Sequence, residues 1–93
     1  MIKRAEIIVQ GVVQGVGFRF YTLRQAKRMG LTGQVGNLAN GDVKIVAEGE
    51  KSAILTLIKD LRIGPAMSHV TAIHVEWCNA QNDFSDFTIT YFP

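Results

Sequence analysis

The chain has 93 residues, 47% apolar and 19% charged, a composition that fits one globular domain, and its length leaves no room for a second core. Ten Lys and Arg against eight Asp and Glu give a net charge of +2. With no run of five or six like charges, the pattern does not mark a nucleic-acid binder, although a slight positive balance assists capture of a small anion. Cys78 is the only cysteine, which excludes an intrachain disulfide and a thiolate metal cluster and fits a reducing compartment.

The opening residues Met1-Ile2-Lys3-Arg4 resemble the start of a secretory signal, but Glu6, Gln10 and Gln14 interrupt the apolar stretch and no small-residue cleavage site follows. The segment reads instead as the first strand of a cytoplasmic protein, with Ala5, Ile7 and Val9 on one face and Arg4, Glu6 and Gln10 on the other. After the glycine-rich stretch 11–17, residues Phe18 to Met29 read as a helix with Tyr21, Ala26 and Met29 along one side and Gly30 as its stop. Leu31 to Leu38 is a predicted strand. The turn Ala39-Asn40-Gly41 joins it to Asp42–Glu48, where Val43, Ile45 and Ala47 alternate with Asp42, Lys44 and Glu48; Asn-Gly, which tolerates positive φ, signals a hairpin.

A second helix follows, with Ser52 as N-cap, Ile54, Leu57, Ile58 and Leu61 spaced by three and four, and Gly64-Pro65 as its end. Ile73, Val75 and Trp77 then alternate with His74 and Glu76, and Phe87, Ile89 and Tyr91 alternate with Thr88 and Thr90. No segment reaches the roughly 18 uninterrupted apolar residues of a membrane span. The order βαββαβ plus a short terminal strand predicts an α+β fold: a ferredoxin-like two-layer sandwich over residues 1–93, its sheet dominated by antiparallel pairs, both helices on one face. With the third strand between the first and second, the loop after strand one and the end of strand two meet at one edge.

That loop is Gly11-Val12-Val13-Gln14-Gly15-Val16-Gly17-Phe18-Arg19. Glycines let the backbone curl and an anion approach its N–H groups, and the following helix adds unpaired amides and the positive end of its dipole. Arg19, in the first helical turn, can add a guanidinium fork suited to tetrahedral oxyanions. A Walker loop is excluded because no Gly-Lys-Ser/Thr follows. A dinucleotide fingerprint is excluded because Phe20 stands where its third glycine belongs. On spacing alone, a plain glycine-rich turn ahead of a solvent-exposed arginine fits equally well. Asn37 alone fits a strand-end residue that caps the next turn. His69 and His74 read as surface residues, Cys78 as passive, and Trp77 and the terminal aromatics as core or sheet-face residues.

The whole string Gly11 to Arg19 resembles the first signature of the acylphosphatase family. A second pattern of that family follows in Gly33-Gln34-Val35-Gly36-Asn37, then Gly41-Asp42-Val43 and Gly49, so the resemblance spans essentially the full chain. It implies a five-stranded ferredoxin-like fold and a metal-independent, cofactor-free hydrolase that cleaves acyl phosphates to a carboxylate and inorganic phosphate. It also implies that the amides of Gln14, Gly15, Val16, Gly17 and Phe18, with the Arg19 side chain, bind the phosphoryl group while Asn37 orients the water. Arg19 and Asn37 are then the catalytic pair of a cytoplasmic monomer whose partners are small phosphates, with no nucleic acid and no membrane.

Two positions depart from the family pattern. Gln34 replaces an aromatic residue, and Gly36 replaces a longer, often basic side chain, at an expected cost of roughly 0.5 to 1 kcal/mol for a glycine inside a strand. The alternative class is a non-catalytic ferredoxin-like module that binds RNA or a small ligand. An RNA-recognition sheet displays aromatics on its central strands, whereas this one offers Ile8, Gln10, Lys44 and Val46. A metal-delivering module needs a Cys-x-x-Cys pair, which is absent. A third reading is the acylphosphatase-like domain of carbamoyl-transfer proteins, against which the short chain speaks.

Overall fold

The computed structural model describes residues 1–93. The period-two segments are strands β1 (Ile2–Val12), β2 (Thr32–Asn37), β3 (Val43–Glu50), β4 (His69–Asn79) and β5 (Phe87–Ile89), and the helices are α1 (Phe18–Arg28) and α2 (Lys51–Ile63). They form one five-stranded sheet in the order β4-β1-β3-β2-β5. β3 is antiparallel to both β1 and β2, β4 is antiparallel to β1, and β5 runs parallel to β2. β1 and β2 are therefore parallel, and their C-terminal ends share one edge of the sheet.

Alternation decides which residues face the helices. Ala5, Ile7, Val9, Val35, Val43, Ile45 and Ala47 are buried there, packed with Phe18, Ala26, Ile54, Leu57, Ile58 and Leu61. The apolar stripe of α2 lies in this core as predicted, and Gly64 closes the helix with an N–H donated to Asp60 O at 2.9 Å. Burying seventeen apolar side chains, at about 1.5 to 3 kcal/mol for each large one, supplies the dominant favourable term.

Four local expectations are corrected. Ser52 does not cap α2: the N-cap is Glu50 with no side-chain bond, and the Ser52 carbonyl accepts from the Thr56 hydroxyl at 3.1 Å inside the helix. The buried side of α1 is Phe18, Thr22 and Ala26 rather than the line through Tyr21, because the Thr22 hydroxyl satisfies itself on Phe18 O at 2.9 Å. Tyr21 lies beside that stripe and donates its hydroxyl to Asp60 O of α2 at 2.8 Å. In the β2–β3 turn only Gly41 takes positive φ, at 100°; Asn40 instead accepts from the Asp42 N–H at 3.0 Å.

The fourth correction is Glu48, which alternates with the wet-face residues yet is buried, its side chain 3% exposed. The segment between β4 and β5 folds over it, and its carboxylate accepts from Arg4 Nη1 at 3.1 Å, Gln81 N at 2.9 Å and Asn82 N at 3.0 Å. Burial alone would push this carboxyl up, but the bonds from Gln81, Arg4 and Asn82 and the charge of Arg4 outweigh it and hold the group below its ordinary value. Arg4 also meets Asp83 at 3.1 Å.

Candidate active site

Between β1 and α1 the chain makes a short loop whose Gly15 and Gly17 have φ of 74° and 81°, the left-handed region that a side chain disfavours. Gly17 is the N-cap of α1, with no side-chain cap and no acidic residue in the first turn. The first helical bond is Tyr21 N to Gly17 O at 3.0 Å, and no backbone N–H from Gln14 to Phe20 donates to a carbonyl of the chain. A row of open donors at the positive end of a helix dipole is an anion cradle. Val13 and Phe18, both about 1% exposed, anchor the two ends of the loop in the core.

Arg19 lies in the first turn of α1, half-buried, and its guanidinium enters none of the five ion pairs of the molecule. Arg4, by contrast, is paired through Nη1 with both Glu48 and Asp83. Arg19 is thus a cation beside the cradle that no carboxylate of the chain holds.

Asn37 is the last residue of β2, opposite Val43. Its Oδ1 is buried and has no hydrogen-bond partner in the chain, an unusual state for a buried polar atom. It does not cap the following turn, whose bonds run Leu38 N to Asp42 O at 2.8 Å and Gly41 N to Leu38 O at 3.2 Å.

The Gln14 side chain joins the two halves. Its Nε2 donates to Leu38 O and to Asp42 O, each at 2.8 Å, so the loop is tied to the turn immediately after Asn37. The sequence points to the backbone amide of Gln14 and not to this side-chain strut. The signal available was a long amide side chain at the mouth of a glycine loop, without an indication of its target. The predicted residues Gln14 to Arg19 and Asn37 thus lie at one edge of the sheet, brought there by the β1-β3-β2 order.

The other sequence candidates lie elsewhere. His69 and His74 are exposed and Cys78 is half-buried. Trp77, 37% exposed, carries Lys51 Nζ 5.4 Å from its ring centroid. A surface concavity of about 240 Å³, lined by Glu6, Ile8, Lys44, His74, Val75 and Glu76, involves none of the residues 14–19 or Asn37. No three His, Cys, Asp or Glu side chains converge so that they could hold a metal ion.

The acylphosphatase family model matches residues 5–89. An acylphosphatase of Methanococcoides burtonii is 47% identical over 88 residues, 95% of this chain and 92% of that one. The crystal structure of acylphosphatase from Bacillus subtilis superposes with a TM-score of 0.93 at 36% identity, covering 98% of this chain and 100% of the other. Full-length HypF in a phosphate- and nucleotide-bound form matches with a TM-score of 0.85 at 29% identity, over 97% of this chain but only 12% of its own. With a family match over nearly its whole length and relatives of its own size, the chain belongs to the acylphosphatase family.

Proposed function

We propose that residues 1–93 act as one catalytic domain that hydrolyses the carboxyl–phosphate bond of acyl phosphates, releasing a carboxylate and inorganic phosphate, with Arg19 and the 14–18 amides holding the phosphoryl group and Asn37 holding the water. Hydrolysis of acyl phosphates is the activity of the family. The observation that carries the residue roles is the Gln14 strut: it joins a loop of open N–H donors to the turn following Asn37, 2.8 Å from Leu38 O.

The substrate explains why so few groups suffice. Cleavage of the P–O bond expels a carboxylate whose conjugate acid has a pKa of roughly 4 to 5, by analogy with carboxyl side chains, so the leaving group needs no general acid. Phosphoryl transfer is largely dissociative, so phosphorus needs little push from the nucleophile, and the protein's part is to position and to stabilise charge. A neutral carboxamide is no base near pH 7. Asn37 therefore aims the water through its unspent Oδ1, and the water's proton passes to a phosphate oxygen of the substrate. Amides and guanidinium stabilise the equatorial oxygens as charge redistributes, a preorganised role worth about 100- to 1,000-fold per donor.

No helix is long and apolar enough to cross a membrane. The reading needs groups from one chain only, which supports a monomer, and a lone cysteine supports a cytoplasmic setting. An RNA-binding reading has no comparable support, because β1 and β3 present Glu6, Ile8, Gln10, Lys44 and Val46 on the face away from the helices, without a stacking pair. The test is hydrolysis of acetyl or benzoyl phosphate against a simple phosphate monoester, with and without a chelator. Anhydride-selective, chelator-insensitive turnover is expected. A folded sample that does not hydrolyse the anhydride overturns the reading.

A further inference from the structure

Gly36 precedes Asn37 in β2 and is buried. Its expected cost to the strand is overturned by its surroundings: a Cβ there would lie 2.4 Å from Thr90 O, 2.9 Å from Phe92 Cδ2 and 3.1 Å from Phe92 Cε2. Real Cβ atoms do not come so close to a backbone oxygen, so glycine is required here for space. The phenyl ring of Phe92 occupies the volume that a side chain at 36 would take. Lys44, directly across from Gly36 on β3, holds its Nζ 5.1 Å from the Phe92 ring centroid, a cation–π contact.

This contact lies where the edge of β2 has no other cover. β5 pairs with β2 only from Gly33 to Val35, and the last rung beyond it is Thr90 N to Val35 O at 2.9 Å. Past that rung, the segment 90–92 meets β2 by packing of Thr90 O and the Phe92 ring on Gly36. On its inner edge Asn37 is held by the pairing with Val43. Its carboxamide has little to aim it besides the backbone, because Oδ1 has no partner.

We propose that Phe92 is a positioning residue for Asn37: its ring, backed by Lys44, presses on the Gly36 backbone and sets where the end of β2 holds the carboxamide. The proposal rests on the reading that Asn37 holds the attacking water. Removing the ring lets the strand end drift, while the 14–18 loop keeps its core anchors Val13 and Phe18 and its Gln14 bonds to Leu38 O and Asp42 O, so chemistry suffers while phosphate binding does not. A misplacement of 1 Å costs about 100-fold, and a smaller drift is expected to lower kcat about tenfold.

The experiment compares Phe92→Ala, Phe92→Tyr, Gly36→Ala and Asn37→Ala with the parent protein, measuring kcat on acetyl phosphate and the inhibition constant for inorganic phosphate. Phe92→Ala and Gly36→Ala should each lose about tenfold in kcat with phosphate inhibition within twofold of the parent, and Phe92→Tyr should retain kcat. In NMR spectra of Phe92→Ala, the Asn37 side-chain amide should shift while the Gly15 and Gly17 amides stay in place. Should Phe92→Ala fail to fold, Phe92→Leu, which keeps the bulk without the ring face, is read by the same kcat, inhibition and amide signals. The proposal alone is overturned if Asn37→Ala loses activity but the Phe92 variants do not, or if phosphate inhibition weakens in step with kcat. If Asn37→Ala keeps full kcat, the water-holding reading fails, and this one with it.

Discussion

Replacing Glu48 by Gln tests the buried charge pair that clamps the β4–β5 segment onto the sheet. Oε2 accepts from Arg4 Nη1 and Gln81 N, and Oε1 accepts from Asn82 N, so either orientation of the new amide turns its NH₂ toward a donor. Arg4, 11% exposed, keeps Asp83, which is itself 54% exposed. Breaking a buried pair costs roughly 3 to 5 kcal/mol, and the surviving partner puts the expected loss near the lower end, about 3 kcal/mol. For a domain of this length that is a fall in Tm of roughly 12 to 24 °C.

Urea unfolding followed by Trp77 fluorescence measures this loss, with the slope m unchanged. The pH dependence supplies a second reading. The folded Glu48 carboxyl is held below its ordinary value of 4.5, so its contribution is present in full above that pH and is lost as pH falls through the folded value. Arg4 is shifted upward, so its contribution is lost only at extreme alkaline pH. The gap between parent and Glu48→Gln should therefore be constant above pH 4.5 and close beneath it. A gap under about 0.5 kcal/mol at neutral pH, or one undiminished at about pH 3, refutes the reasoning.

Other substitutions probe the site. Arg19→Ala should cut kcat/KM by about 100- to 1,000-fold and weaken inhibition by phosphate, with Arg19→Lys intermediate because an ammonium cannot fork; unchanged phosphate inhibition sinks its assigned role. Asn37→Ala should reduce kcat while phosphate inhibition stays nearly intact, and a large loss of phosphate affinity would make it a binding residue instead. Gln14→Ala removes two bonds to the turn, which should cost about 1 to 2 kcal/mol in thermal or urea unfolding and loosen phosphate binding several-fold. Unaltered stability and binding would dismiss the strut.

Element type and order were legible in the sequence because apolar period is a local property. Val43, Ile45 and Ala47 must point one way from a strand, and Ile54, Leu57, Ile58 and Leu61 must line one side of a helix. The cradle was legible in the same way, since three glycines running into a helix start constrain only neighbouring backbone. The common edge for that loop and Asn37 followed from strand order and handedness. Glu48, Gln14 and Phe92 were not legible, because each is defined by a partner 24 or more positions away: Glu48 by Gln81, Gln14 by Leu38, Phe92 by Gly36.

By itself, then, the chain's residue pattern determined the strands, the helices, the tight glycine loop that runs into the first helix and the family. Tertiary structure alone decided that a wet-face glutamate is buried, that a loop glutamine is a strut, and that a glycine which looks costly in a strand is needed to admit a distant ring. The physical reason is range. Backbone conformation and amphipathic faces follow from residues within a few positions, whereas burial, satisfaction of a polar group and close approach depend on which surface the fold lays against it.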